Sequence, residues 1–398
     1  MKKIRIKNNI LNSTIDAKNI LLFFPLLVII GKFVRWTLMY GTLVSMSKGW
    51  GYVSGILYGN YSFTFLGIND LINGSPGEDT NMYIFFKAFR ALCLNIPNDF
   101  YSFEIAITIV YCIMLFILCK QIKRVISVSE FIFVCLAIMV LNVYCFSLAK
   151  ETFQMIYFYM LFLVLYTDKI PENKKFLSAV GVILLSTFTF RTYYFLIIVI
   201  TLVTLLLVKY AIKKKPDKPI FNVFAVFFGL IGLYAIMMFT LKFAMPVLYT
   251  RMADSLLWAS AATSSSNTYT ENWVATSSYD TVAVIIEYGL YVLRLLFPLE
   301  LMSLGIKYFP YIVYQLCMTG FMIRTLKTYI TNTKAQNTAL LVMIGFVFTS
   351  ATFESDYGSW IRHGVVTLPL LLIMIGMIRP KERKKGERDA NISNRFHC

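Results

Sequence analysis

Apolar runs long enough to cross a lipid bilayer recur from Ile20 to Ile378, separated by short clusters of lysine and arginine. This pattern leaves few architectures open. At 398 residues a soluble chain would divide into two or three domains, but here 58% of residues are apolar and only 15% are charged. A soluble domain carries about a quarter charged residues. The runs are continuous rather than alternating, which excludes a porin-like barrel. The expected fold class is therefore all-α, a polytopic transmembrane helical bundle.

The formal net charge of +17 is an orientation signal. Of the 38 lysines and arginines, 26 lie in six short segments: Lys2–Lys18, Lys120–Arg124, Lys169–Lys175, Lys209–Lys218, Arg324–Lys334 and Arg379–Arg395. Elsewhere basic and acidic residues nearly balance. Such an asymmetry marks the six segments as cytoplasmic, and nucleic acid is not an expected partner. Of the seven cysteines only Cys93 falls in a segment assigned outside, so no extracytoplasmic disulfide within the chain is expected. No CxxC or Cys/His spacing suits a metal, and the two histidines cannot build a typical zinc site. No cofactor is expected.

Because all six basic segments share one face, each stretch between them must cross and return. The spans so drawn are about 20–40, 102–119, 126–148, 151–167, 176–190, 192–208, 220–241, 308–325, 337–352 and 364–378. These ten spans leave both termini cytoplasmic, and residues 1–380 form a single integral membrane domain followed by a basic tail, 381–398. Two large segments, 41–101 and 242–307, lie outside. Within the second, Thr281–Gly305 reads as a re-entrant or interfacial helix, with two closely spaced spans as the alternative.

Charged residues near bilayer depth are costly unless they are used or hydrated. The densest cluster is the tip Phe353-Glu354-Ser355-Asp356-Tyr357-Gly358-Ser359-Trp360-Ile361-Arg362-His363. Glu354, Asp356 and His363 are candidate general bases, and Arg362 is a candidate anion ligand, against the plainer reading of a solvated loop. Arg191 sits at another tip, where it could bind phosphate or snorkel to the interface. Lys150-Glu151 marks a third tip, with Lys150 the binding candidate. Lys32 and Arg35 share a face of the first helix and suit a pyrophosphate, although snorkelling accounts for them too. Glu287 and Arg294, seven residues apart, form a polar stripe on an apolar element. No P-loop or GxGxxG follows a strand, so any energy must come from the substrate or a gradient.

The cluster from Phe353 to His363, placed just before a last hydrophobic helix, resembles the tip of bacterial O-antigen and capsular polysaccharide polymerases, the Wzy-type and EpsG-like proteins. The overall plan is similar as well. The family's Arg-x10-Gly pattern is matched by Arg294 to Gly305, and no counterpart starts at Arg191. The resemblance implies a membrane glycosyltransferase needing neither metal nor nucleotide. It would polymerise undecaprenyl-diphosphate-linked oligosaccharides at the outer face of the bacterial cytoplasmic membrane. Membrane lipid, a flippase and a chain-length regulator would be its partners. Arg191, Arg294 and Arg362 would hold diphosphate or sugar. An O-antigen ligase, another polyprenyl-linked glycosyltransferase and a lipid-linked oligosaccharide flippase stay open as alternatives.

Overall fold

The computed structural model of the protein describes residues 14–45, 100–146, 150–215, 218–257, 272–303, 305, 308–353 and 357–378. Most of the first large outer segment and the basic tail fall outside these residues. Thirteen α-helices and one two-stranded ribbon are present among them. In chain order the helices are α1 (Lys18–Ser45), α2 (Phe100–Lys120), α3 (Val128–Tyr144), α4 (Lys150–Tyr166), α5 (Lys175–Thr189) and α6 (Phe195–Lys214). They continue as α7 (Pro219–Ala244), α8 (Pro246–Leu257), α9 (Thr281–Leu296), α10 (Phe309–Lys327), α11 (Lys334–Phe353), α12 (Tyr357–Val365) and α13 (Leu368–Met374).

Three helical segments are long and apolar enough to cross a membrane: Thr192–Lys214, Pro219–Ala244 and Lys334–Phe353. Shorter apolar helices stand with them at Ile105–Cys119, Val128–Val143, Glu151–Tyr166 and Lys175–Thr189. The outward faces fit lipid rather than water. On α2, Ile105, Ile109, Ile113 and Ile117 recur every four residues and all are exposed, a stripe that a water-facing helix would fill with charge. The same holds for Phe224, Phe228, Phe239 and Phe243 on α7. These features define a helical membrane protein.

Lipid removes most of the hydrophobic drive for helix association, so close backbone approach and polar contacts carry more of the packing. Two glycines show it. A Cβ on Gly31 of α1 would lie 2.7 Å from the Asn142 Cβ on α3, and one on Gly345 of α11 would lie 2.8 Å from the Ile197 carbonyl oxygen on α6. Helix α11 forms the centre of the bundle, buried almost throughout.

Two features depart from the sequence expectation. The fold is not wholly helical: β1 (Thr14–Asp16) pairs antiparallel with β2 (Val125–Ser127), Ile15 opposite Ile126. One helix over 364–378 was expected, but α12 and α13 meet instead at a break near Thr367. Pro369 cannot continue a helix arriving from α12, since it lacks an N–H and its ring crowds the carbonyl four residues back. The Thr367 hydroxyl caps the break by donating to the Gly364 carbonyl at 2.6 Å.

The ribbon has a topological meaning. It joins the segment that ends at Lys18 to the one that ends at Arg124. The Lys123 N–H donates to the Met377 carbonyl at 2.8 Å, and the Tyr166 hydroxyl donates to Gln121 Oε1 at 2.7 Å. The borders of four basic segments thus gather at one end of the bundle.

Candidate functional site

The opposite end collects the hairpin tips. Helix α3 begins with a capping box, Ser127 and Glu130 bonding each other's backbone N–H, and ends near Cys145-Phe146. Its last carbonyls meet cations from α1. Lys32 Nζ donates to the Phe146 carbonyl at 2.6 Å and Arg35 to the Val143 carbonyl at 2.9 Å, an arrangement that the helix dipole favours. Gly31 permits this approach, because any side chain there would strike Asn142. Both cations are buried, so neither snorkels.

At the start of α4, Glu151 is 1% exposed. His363 Nε2 lies 3.0 Å from Glu151 Oε1, and Arg362 Nε lies 3.8 Å from the same oxygen. Arg362 also donates to the Ser359 hydroxyl at 3.1 Å, one turn back on α12, and the Cys145 thiol points at the Arg362 carbonyl at 3.5 Å. Neighbouring residues on a helix diverge by about 100°, so Arg362 and His363 can face one carboxylate only when it stands between their directions. Glu151 does so from a different hairpin.

Arg191 completes the group. It occupies an extended position between α5 and a 3-10 turn, Thr192–Tyr194. Its guanidinium lies beside the Phe190 and Tyr193 rings, at 5.3 and 5.4 Å from their centroids, and donates to the Tyr193 hydroxyl. Tyr193 stacks on Phe353 at the end of α11, centroids 4.4 Å apart. Arg191 also reaches His363 Nδ1 at 3.3 Å. A guanidinium only donates, so Nδ1 is the acceptor and the ring proton belongs on Nε2, facing Glu151. Guanidinium, imidazole and carboxylate therefore form one ordered line from the tip inward.

A second cluster stands apart from this line. Glu287 Oε2 accepts the N–H groups of Trp273, Val274 and Ala275 at 2.9, 2.7 and 3.2 Å. Arg294 binds Glu300 through two parallel bonds, Nε to Oε1 at 2.8 Å and a terminal nitrogen to Oε2 at 3.0 Å. The Tyr357 hydroxyl donates to Glu300 Oε1. The pairing of Glu287 with Arg294 as one stripe is observed, at 3.8 Å. Both side chains brace the segment around Trp273, and Arg294 is matched by Glu300 rather than turned to the Glu151 group.

Of the residues singled out in the sequence, Arg191, Arg362 and His363 converge, and Lys32 and Arg35 lie beside them through α3. Glu354, Asp356 and the Lys150 side chain lie outside the described residues. The sequence pattern does not single out Glu151, Glu300, Tyr357 or Trp273. Glu151 alone carries a signal, as an acid at the head of an apolar run beside Lys150. Among the described residues no group of His, Cys, Asp and Glu is arranged to hold a metal ion. No protein-family model, curated protein or solved structure matches this chain.

Proposed function

We propose that this protein is a polysaccharide polymerase, a multi-pass glycosyltransferase of the bacterial cytoplasmic membrane that joins undecaprenyl-diphosphate-linked oligosaccharides at the outer face. The observation that carries the reading is the meeting of Arg191, Arg362, His363 and Glu151 at the end of the bundle opposite the basic segments. On this reading the ten spans stand as drawn above, except that α12 and α13 together replace the last one.

The residues suit the chemistry. The acceptor sugar's hydroxyl oxygen attacks the anomeric carbon of the donor glycan, the bond from that carbon to the diphosphate oxygen breaks, and the lipid diphosphate leaves. Two guanidiniums can meet the departing charge, which is electrostatic stabilisation where charge develops. Once Arg191 turns from His363 to the diphosphate, Nδ1 is uncovered and takes the hydroxyl proton. Glu151, 3.0 Å from Nε2, stabilises the imidazolium that results. A positioned base of this kind contributes about 10²–10⁴-fold in rate. The diphosphate is itself a good leaving group, so no nucleotide is required.

The test is complementation of a deletion strain. Arg191→Ala, Arg362→Ala and His363→Ala, compared at matched protein levels in the membrane, should each leave single repeat units on the carrier or core. Normal polymer length in all three overturns the assignment. Unattached long polymer in the deletion strain would instead identify a ligase, and intermediates trapped inside the cell a flippase.

A further inference from the structure

The segment Asn272–Asp280 presents an aromatic ring on a rigid mount. Trp273 is 60% exposed, yet its backbone N–H and the next two are held by the buried Glu287. One face of its indole is covered by the Arg294 guanidinium, 4.5 Å from the ring, and Glu300 fixes that guanidinium through two bonds. The other face is left open. An exposed tryptophan ordinarily has freedom to move; this one has its main chain and one ring face fixed by two buried charged groups.

We propose that Trp273 is the platform of a saccharide subsite, with a pyranose ring of the glycan stacked on its open face. The C–H bonds on one side of a pyranose are polarised positive and pack on the negative face of an aromatic ring. Sugar hydroxyls need acceptors nearby, and the Glu300 carboxylate, one-third exposed, supplies one on the far side of Arg294. The flanking residues Asn272, Thr276, Ser277, Ser278 and Asp280 are polar, which suits a sugar better than a lipid tail. The subsite is also placed to work with the Glu151 group. Glu300 holds Tyr357, the first residue of α12, and Arg362 follows about 7.5 Å further along that helix. A short oligosaccharide spans from one to the other. Naming a glycan as occupant rests on the function proposed above.

The experiment uses the full chain in lipid nanodiscs. The probe is the lipid-free oligosaccharide released by mild acid from the carrier-linked pool of cells lacking the gene, titrated by calorimetry. The native protein should bind it saturably, Trp273→Phe should bind within about threefold of native, and Trp273→Ala should weaken binding tenfold or more. If Trp273→Ala fails to accumulate, Trp273→Leu replaces it, keeping an apolar side chain over Arg294. Native-like affinity in the non-aromatic variant overturns the subsite and leaves the glycan reading standing. Absence of saturable binding by the native protein overturns both. As a separate measurement, brominated lipid should not quench the emission lost in Trp273→Phe. Strong quenching would place the ring in the bilayer as an interface anchor and overturn the proposal.

Discussion

Replacing Glu151 by alanine is expected to eliminate long-chain polymer and to destabilise the protein. Glu151 is buried at the point where Arg362 and His363 meet. Removing one member of a buried charged group deprives the others of a charge partner, at a cost of about 3–5 kcal/mol. Glu151→Gln separates the two effects. The amide keeps the size and polarity of the carboxylate beside His363, so the fold should lose less, while the charge that stabilises an imidazolium is gone. Polymer synthesis should then fall by two orders of magnitude or more with protein level near native. Thermal unfolding in detergent and polymer length in the complemented strain read the two quantities independently. Native polymer from Glu151→Ala would show that the acid only fills space.

The second large effect is expected at Gly345, in the buried middle of α11. A Cβ there would stand 2.5 Å from Thr201 Oγ1, 2.8 Å from the Ile197 carbonyl oxygen and 3.2 Å from Ile197 Cγ2. Gly345→Ala must push α11 and α6 apart, at a cost of about 1–3 kcal/mol, and Gly345→Val should exceed it. Thr201→Ala should restore only part of the loss, because the Ile197 backbone remains in the way. Gly181 on α5 is the control, since nothing lies within 4 Å of a Cβ built there. Gly181→Ala should be neutral or stabilise by about 0.5–1 kcal/mol, as an alanine in a helix outperforms glycine. Equal melting temperatures for Gly345→Ala and the native protein would contradict the packing argument. The effect should also reach function. Helix α6 follows directly from the Arg191 tip and α11 ends at Phe353, whose ring stacks on Tyr193, so parting the helices unseats Arg191.

Much of the plan was legible because the bilayer imposes strong rules. Apolar length set the helices: the expected 220–241 corresponds to Pro219–Ala244, and 337–352 to Lys334–Phe353. Charge asymmetry alone puts Arg191, Arg362 and His363 at a common end, and their side chains meet there. What escaped depends on long-range pairing. Glu151 and His363 are 212 residues apart in sequence, on tips of two different hairpins, and no local pattern says that the two tips touch. Arg294 matched a spacing, but spacing is blind to Glu300, which claims its guanidinium six residues later. The ribbon escaped for a different reason: three-residue strands such as Thr14–Asp16 carry too little alternation to be seen. The break at Thr367 was readable in principle, since Pro369 sits in the first turn of α13.

The placement of Lys32 and Arg35 bears on how the chain is made. Their carbonyl partners at the end of α3 lie 114 and 108 residues downstream. At about 5–20 residues per second, ribosomal synthesis takes roughly 5–20 s to deliver α3 after α1 has emerged. Throughout that interval the first helix carries two cations at membrane level whose helix end does not yet exist. Until then interfacial water can hold the two charges, so α1 can take its final packing against α3 only late in synthesis.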